Sequence, residues 1–356
     1  MIGLSKRLQT ICDMVRPGTR ICDVGCDHAY VDIRLLQENK ISFALAMDVA
    51  DGPLSTARSN LELTELYGGG RCELRKSDGL ASYEPGEADC MICAGMGGIL
   101  MESLLEAEAE KAASFDELLL SPQSEIHLVR EWLLRSGFVI AEERFLEDEG
   151  KYYTVMRAIP EGKLQSRYWT GDKTRGHVPD GVQGTGCVFD VEGGEPEGYG
   201  RTIHPNGTDF RPDWDRIAGK IQTLPENTIR QAGVDGETIC KMLRSPAFQS
   251  LTEKTYGPCI VKLYLEGVCS DEAGTKETAK AEEESVRCFE QFLTETIRSR
   301  LAIAENLTQK LEDLETERRQ GIVQRLQDIR TQIGVLQTLL AARMLCAATQ
   351  TTKETL

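Results

Sequence analysis

The residues whose types and spacing best suit chemistry lie in one short segment, Asp23-Val24-Gly25-Cys26-Asp27-His28-Ala29-Tyr30. The segment follows an apolar run and precedes a helix-like one, which predicts a strand, a turn at Gly25 and a helix. Ligands of open α/β folds bind at this carboxyl edge of the sheet. The third glycine of G-x-G-x-x-G is missing, and Asp27 would place a negative charge beside a pyrophosphate. NAD and FAD are therefore disfavoured, and a ligand with a cationic end fits better.

Acidic residues end the next two predicted strands. The second strand ends in Asp48, which Val49 follows, and Asp48 is 23 residues after Gly25. This is close to the spacing at which an acidic side chain takes ribose hydroxyls. The third strand runs into Asp78 and Gly79, where Asp78 can accept a hydrogen bond from an adenine amino group and Gly79 lets the ring lie against the backbone. The alternative for Asp48 is a solvated carboxylate at a strand end.

The fourth predicted strand ends in Ala94-Gly95-Met96-Gly97-Gly98. Three glycines in four positions clear space at the same edge, although they also suit a tight strand-to-helix turn. Four such elements in order predict an adenosyl cofactor, S-adenosylmethionine, which carries an ammonium and a sulfonium. The expected cofactor contacts are Asp23, Gly25, His28, Asp48, Val49, Asp78, Gly79 and Gly95.

The elements that must position these residues occupy residues 1–159. A helix with Ser5 as its cap is predicted over Leu4–Val15, and strand-like and helix-like stretches then alternate, which predicts a parallel sheet covered on both faces. The last two strands, Phe138–Phe145 and Tyr152–Ala158, are joined by a short acidic turn and should be antiparallel. We therefore predict an α/β fold with a Rossmann-like sheet and a hairpin at its C-terminal edge.

The rest of the chain divides into two predicted regions. Residues 160–250 are rich in glycine and poor in apolar residues between 160 and 210, so we predict a loop-like insertion. Residues 251–356 regain apolar character, and two stripes with helical spacing over 282–346 predict a helical hairpin resembling a coiled coil. Such stripes usually build a core or a dimer.

Composition limits the class of protein. The 356 residues carry a formal net charge of −16, which argues against nucleic-acid binding through bulk positive charge but leaves room for a local basic patch. The N-terminus lacks the apolar stretch of a signal peptide, and no apolar run approaches the roughly 20 residues of a membrane span. We expect a cytoplasmic protein that does not contact membranes.

The Cys90–Cys93 pair has no partner at zinc spacing, so we expect buried thiols and no metal.

Several motifs together resemble the bacterial tRNA (adenine(22)-N1)-methyltransferases, and the resemblance covers residues 4–159. The motifs are SKRLQT (Ser5–Thr10), DVGCDHAY (Asp23–Tyr30), DGP (Asp51–Pro53), SDGL (Ser77–Leu80), AGMGG (Ala94–Gly98) and REWL (Arg130–Leu133). The resemblance resumes at YGP (Tyr256–Pro258) and in the C-terminal helical hairpin. The resemblance implies a class I methyltransferase sheet, and a coiled-coil appendage that helps to grip tRNA. The chain departs from the family at Leu120–Gln123, which reads LSPQ where L-Q-P-N is common, and in the insertion at 160–250.

The expected reaction is in-line transfer of a methyl group to N1 of an adenine in tRNA, at position 22 by resemblance. N1 has a free lone pair, so orientation and exclusion of water matter more than a strong base. The product adenine is cationic, and Asp27 is the candidate catalytic residue that positions the base and stabilises this charge; the matching position in the family has a catalytic role. Its alternative role is to cap the following helix.

The target base must leave its stack to enter a pocket. The expected substrate contacts are Tyr30 and Met96, which can stack on the base, Gly97, and Lys6 and Arg7, which can bind phosphates. His28 can equally be a structural hydrogen-bonding residue, and Met96 can equally fill the core.

Two alternative functions stay open on the sequence. One is a methyltransferase that acts on another RNA or on a small molecule. The other is a non-catalytic RNA-binding or assembly module whose helical hairpin mediates oligomerisation. The oligomeric state, monomer or weak dimer, is also open.

Overall fold

The computed structural model describes residues 3–163, 212–224, 226, 229, 235–266, 276–311 and 316–351. Its N-terminal part is a seven-stranded sheet in the order β3-β2-β1-β4-β5-β7-β6. The strands are β1 Arg20–Val24, β2 Phe43–Asp48, β3 Cys72–Lys76, β4 Cys90–Ala94, β5 Glu117–Ser121, β6 Phe138–Asp148 and β7 Lys151–Pro160. The first five are parallel, and β7 runs antiparallel between β5 and β6. The predicted Rossmann-like sheet with its terminal hairpin is confirmed.

Helices cover both faces of this sheet. They are α1 Lys6–Met14, α2 Tyr30–Gln37, α3 Asp51–Leu63, α4 Gly98–Ala107, α5 Ala109–Ser114 and α6 Ile126–Arg135. The central strands are almost entirely buried because helices pack on either side of them: Cys22 and Val24 face one apolar cluster, whereas Ile21 faces the other. Helix α1 begins as predicted, with the Ser5 hydroxyl accepting the N–H of Leu8 (3.4 Å).

The sheet order places the site. From β1 the chain adds β2 and β3 on one side and then returns to lay β4 on the other side of β1. The carboxyl ends of β1 and β4 therefore flank a topological switch point, where the connections leave in opposite directions and open a crevice. Gly25 and Gly95 follow these two strands.

A second, helical region follows the sheet. Its helices are α7 Trp214–Gln222, α8 Gly236–Leu243, α9 Pro246–Tyr256, α10 Pro258–Glu266, α11 Lys276–Leu311 and α12 Thr316–Thr351. They share an apolar core with Phe145 of β6, which contacts the rings of Phe289 and Phe292 on α11. The β6–β7 hairpin thus extends out of the sheet to carry the helical region. No helix among the described ranges is long and apolar enough to span a bilayer.

The prediction of loop structure over 160–250 is wrong for part of that range. Residues 164–211 lie outside the described residues, but helices α7, α8 and the start of α9 lie within it. Trp214, Ile217 and Ile221 are buried in the helical core because they recur at helical spacing. The glycine-rich composition of the earlier part of the range concealed this short stripe. The boundaries of the three predicted domains stay a prediction.

A buried ion pair joins the two regions. Arg130 of α6 and Glu143 of β6 are 2.8 Å apart with side chains only 2% and 0% exposed. Arg130 also donates to the carbonyl oxygens of Thr255 (2.9 Å) and Tyr256 (3.2 Å), and Glu143 accepts the backbone N–H of Cys259 (3.1 Å). The REWL and YGP motifs are therefore in contact, at the turn between α9 and α10.

Candidate functional site

A cavity of about 340 Å³ opens at the carboxyl ends of β1, β2 and β4. It gathers eight of the residues predicted from the sequence: Arg7, Asp23, Gly25, Asp27, His28, Tyr30, Asp48 and Gly95. These residues come from four separate segments, so the fold and not local sequence brings them together. A larger groove of about 590 Å³ lies along α11 and Arg343, away from the strand ends.

The turn after β1 forms the floor of the cavity. Gly25 has a φ of +75°, a left-handed conformation that favours glycine, and the N–H groups of Gly25 and Cys26 donate to the carbonyl of Met47 (2.9 and 3.0 Å). Asp27 and Ala29 also have positive φ, +49° and +57°. Three left-handed residues in five produce a tight loop, and Cys26, Asp27 and His28 of this loop line the cavity.

Asp27 does not cap the helix that follows. Ala29 occupies the N-cap position of α2, and no side chain there accepts a helix N–H. The Asp27 side chain is 68% exposed, and its Oδ2 lies 3.5 Å from His28 Nε2. The capping alternative is therefore excluded, and the carboxylate is available to a ligand.

Asp48 is held at the end of β2. Its Oδ2 accepts the N–H of Asp27 (3.3 Å) and its Oδ1 accepts the N–H of Ala50 (2.9 Å). These bonds fix the carboxylate at the cavity wall and tie the β2 end to the β1 turn. A carboxylate oxygen can accept more than one hydrogen bond, so both can still accept from hydroxyls of a ligand.

Asp23 lies behind the turn, next to a second buried carboxyl. Asp23 is 6% exposed and Asp32, in the first turn of α2, is fully buried. Burial and the charge of Asp32 raise the pKa of Asp23 well above its ordinary value, and burial raises the pKa of Asp32 to about 6. With both groups ionised, no described donor would reach either Asp32 oxygen. The pair therefore keeps a proton to higher pH than separate aspartates do.

Arg7 lies at the β4 side of the cavity. Its Nη1 and Nη2 lie 3.8 and 3.9 Å from the point where a Cβ on Gly95 would be, and Gln123 Nε2 is also 3.9 Å from it. Gly95 has a φ of +88°, a left-handed conformation that favours glycine. The guanidinium also lies over the ring of Tyr153, 5.3 Å from its centre.

The remaining predicted residues lie outside the described lining of the cavity. Val49 is 58% exposed, and Asp78 and Gly79 follow β3, where a Cβ on Gly79 would come within 2.7 Å of the Leu104 side chain. Gly97 is the N-cap of α4. The roles predicted for these residues stay predictions.

Met96 and Lys6 also lie outside that lining. Met96 packs against the core, with its Sδ 3.5 Å from Cys93 Sγ. Lys6 pairs with Glu284 of α11 (2.7 Å) and faces a different groove. Binding of RNA phosphates by Lys6 stays a prediction, and the lysine would have to leave Glu284 to do so.

The sequence named Gln123 only as part of the LSPQ segment and Arg7 only as a candidate phosphate contact on the first helix, whereas both line the cavity. Gln123 belongs to the LSPQ segment, and its N–H donates to the carbonyl of Met96 (2.9 Å), which brings it to the cavity rim. The departure of this segment from the family pattern was the signal that could have identified it. Arg7 could not be placed without knowing how α1 packs on the hairpin, where Asp148 accepts the Arg7 N–H (3.0 Å).

Comparison with known proteins agrees with this geometry. Residues 4–156 match the family described as a methyltransferase domain. The tRNA (adenine(22)-N(1))-methyltransferase of Bacillus subtilis is 37% identical over 157 residues, which are 44% of this chain and 65% of that relative. The chain thus aligns with just under two thirds of this relative's length. This match confirms the resemblance inferred from the motifs.

Solved structures confirm the fold across most of the chain. An uncharacterised protein from Listeria monocytogenes matches with a TM-score of 0.58 at 19% identity, covering 95% of this chain and 100% of that one. The B. subtilis M1A22 tRNA methyltransferase TrmK matches with a TM-score of 0.55 at 21% identity, covering 95% and 99%. The helical region is therefore part of the shared architecture.

Proposed function

We propose that this chain, whose residues 4–156 form a methyltransferase domain, methylates N1 of an adenine in tRNA, with position 22 as the target and S-adenosylmethionine as the donor. One observation carries the proposal: the ends of β1, β2 and β4 and the first helix converge on one cavity at the topological switch point. The 37% identity to the B. subtilis enzyme over this domain supports tRNA as the substrate class. A tRNA substrate implies a cytoplasmic location.

The donor set of the cavity fits this cofactor. Asp48 is fixed at the end of β2 with acceptor capacity left for ribose hydroxyls. Asp23 and Asp27 supply carboxyl groups for a cationic end, whereas a pyrophosphate would be repelled. The bound cofactor supplies a methyl group on a positively charged sulfur.

Asp27 is the proposed catalytic residue. Its carboxylate is exposed in the cavity and is not used as a helix cap. Negative charge at this place stabilises an adenine that becomes cationic when N1 is alkylated. The left-handed turn already holds the Asp27 backbone in place, so the carboxylate needs little reorganisation during the reaction. Tyr30 lines the cavity and is 38% exposed, and its ring centre lies 5.4 Å from that of the tilted His28 ring. Tyr30 therefore offers an aromatic face to an extruded base.

The helical region is the proposed tRNA-gripping appendage. Arg325 and Arg330 of α12 are exposed. Contacts of this kind bind phosphates and set the register of the RNA without reading its sequence. The net charge of −16 means that few such contacts are available.

The proposal is tested by incubating the protein with methyl-labelled S-adenosylmethionine and two unmodified tRNA transcripts, one with adenine and one with guanine at position 22. We expect label in the first transcript and background in the second. Absence of label in both, or equal label in both, would refute the proposed substrate.

A further inference from the structure

Apolar side chains are exposed at the edge of the sheet where the cavity opens. Ile99 and Leu100, in the first turn of α4, are 60% and 61% exposed. Val49, which follows β2, is 58% exposed, and Tyr30, the first residue of α2, is 38% exposed. Since these residues follow β4, β2 and β1, they share the carboxyl edge of the sheet. Exposed apolar side chains that gather at one place mark an interaction surface.

Backbone hydrogen bonds hold the start of α4 in place. Three of them join residues 95–98 to residues 121–124: Gly95 N–H to Ser121 O (3.3 Å), Gln123 N–H to Met96 O (2.9 Å) and Gly98 N–H to Ser124 O (2.9 Å). A Cβ on Gly98 would come within 2.5 Å of the carbonyl oxygens of Ser124 and Glu125, so the two loops are in direct contact. Helical side chains lean toward the helix N-terminus, which directs Ile99 and Leu100 toward the carboxyl edge. The exposed pair therefore projects from a fixed support.

The charge at this edge is unsuited to RNA phosphates. The segments that follow the five parallel strands, residues 25–30, 49–52, 77–80, 95–100 and 122–126, contain four carboxylates and no lysine or arginine. Lys76, the last residue of β3, pairs with Asp51 (2.7 Å), and Arg7 lines the cavity together with three aspartates. An RNA at this edge would meet repulsion at its phosphates. The uncharged faces of its bases are the part that matches exposed aliphatic side chains.

We propose that Ile99 and Leu100 form an apolar wedge that packs against the faces of the RNA bases next to the extruded adenine. This inference rests on the proposed function and adds the part of the protein that keeps the gap in the base stack open. Extrusion of a base leaves the faces of its neighbours without a stacking partner. Aliphatic side chains inserted between bases cover such faces, at a cost in stacking that the new contacts offset.

Binding of unmodified tRNA to the full chain, measured by fluorescence anisotropy with S-adenosylhomocysteine present, tests the wedge with three single substitutions. Leu100→Ser should weaken binding about 5- to 20-fold, because it removes apolar surface that the bases would cover. Leu100→Met keeps the apolar volume and should bind as wild type does. Leu63→Ser is the matched control, because Leu63 is 82% exposed at the C-terminal end of α3, at the opposite edge of the sheet; it should change nothing.

Two further readouts separate an apolar wedge from other roles of Leu100. The slope of log affinity against log salt should be the same for Leu100→Ser and wild type, because no phosphate contact is lost. A 2-aminopurine next to position 22 should gain fluorescence when the tRNA binds wild type, since the open gap unstacks it, and should gain less with Leu100→Ser. Calorimetry with S-adenosylhomocysteine should give equal affinities for both proteins.

Three results would overturn the inference. Equal affinities of Leu100→Ser and Leu63→Ser for tRNA would show that no base packs on Leu100. An undiminished 2-aminopurine signal in a weakly binding Leu100→Ser would place its RNA contact away from the target. Self-association of wild type in sedimentation, abolished by Leu100→Ser, would assign the apolar pair to a second copy of the chain. If wild type methylates no tRNA, the proposed function itself fails, whereas the three results above leave that methylation in place.

Discussion

The ion pair between Arg130 and Glu143 gives a direct test of how the two regions are held together. Both side chains are almost fully buried, and each makes further hydrogen bonds to the turn between α9 and α10. Arg130→Met removes one partner and leaves the Glu143 charge buried without compensation. Breaking a buried pair in this way typically costs about 3–5 kcal/mol.

The same junction contains a matched control. Lys254 of α9 pairs with Glu131 of α6 at 2.7 Å, but the two side chains are 35% and 39% exposed. Solvent screens such a pair, so Lys254→Met should lower the free energy of unfolding by less than about 1 kcal/mol. The two substitutions each remove one positive charge at the same junction, and the two ion pairs differ in burial.

Urea denaturation of the full chain, followed by circular dichroism, measures both effects. We expect Arg130→Met to lower the midpoint several times more than Lys254→Met. The double variant Arg130→Met/Glu143→Leu should regain most of the loss, because no buried charge remains. Equal shifts for Arg130→Met and Lys254→Met, or no recovery in the double variant, would refute the reasoning.

Three further predictions follow. Burial raises the pKa of Asp32 from 3.8 to about 6, so the folded chain binds more protons than the unfolded chain between these pH values. The free energy of unfolding of wild type, measured relative to that of Asp32→Asn, should therefore fall by roughly 2–3 kcal/mol from pH 4 to pH 7. A difference between the two proteins that does not change with pH would exclude the shared proton. Asp27→Ala should lower kcat by about 100-fold or more while calorimetry shows little change in affinity for S-adenosylhomocysteine; equal losses would make Asp27 a cofactor or structural residue. A plot of log affinity for tRNA against log salt should have a slope no steeper than about −4, because few phosphate contacts are available, and a much steeper slope would contradict binding by a small set of placed arginines.

Much of the sheet could be predicted because its strands are short apolar runs that end in glycine or aspartate. The bounds of β1 and β2 come directly from this pattern, and the sharp turns at their ends gave most of the cavity lining. Parallel strands place their carboxyl ends at one edge, so residues far apart in sequence converge without any knowledge of side-chain packing.

Other features depend on contacts that no local pattern encodes. Arg130 meets Thr255 and Tyr256 across more than a hundred residues, and Arg7 lines the cavity where Asp148 of β6 accepts its backbone N–H. The carboxyl of Asp32 gave no signal, because its importance comes from lying against Asp23 in a buried place. The helices within 213–250 were hidden by a composition dominated by the preceding glycines.

The central claim is that the cavity at the switch point methylates N1 of one adenine in tRNA. Mass spectrometry of nucleosides and ribonuclease fragments, after unmodified tRNA is incubated with the protein and S-adenosylmethionine, tests it most directly. We predict 1-methyladenosine in the fragment that contains position 22 with wild type, and a strongly reduced yield with Asp27→Ala. Methylation of another base, another atom of adenine, or no RNA fragment at all would contradict the claim.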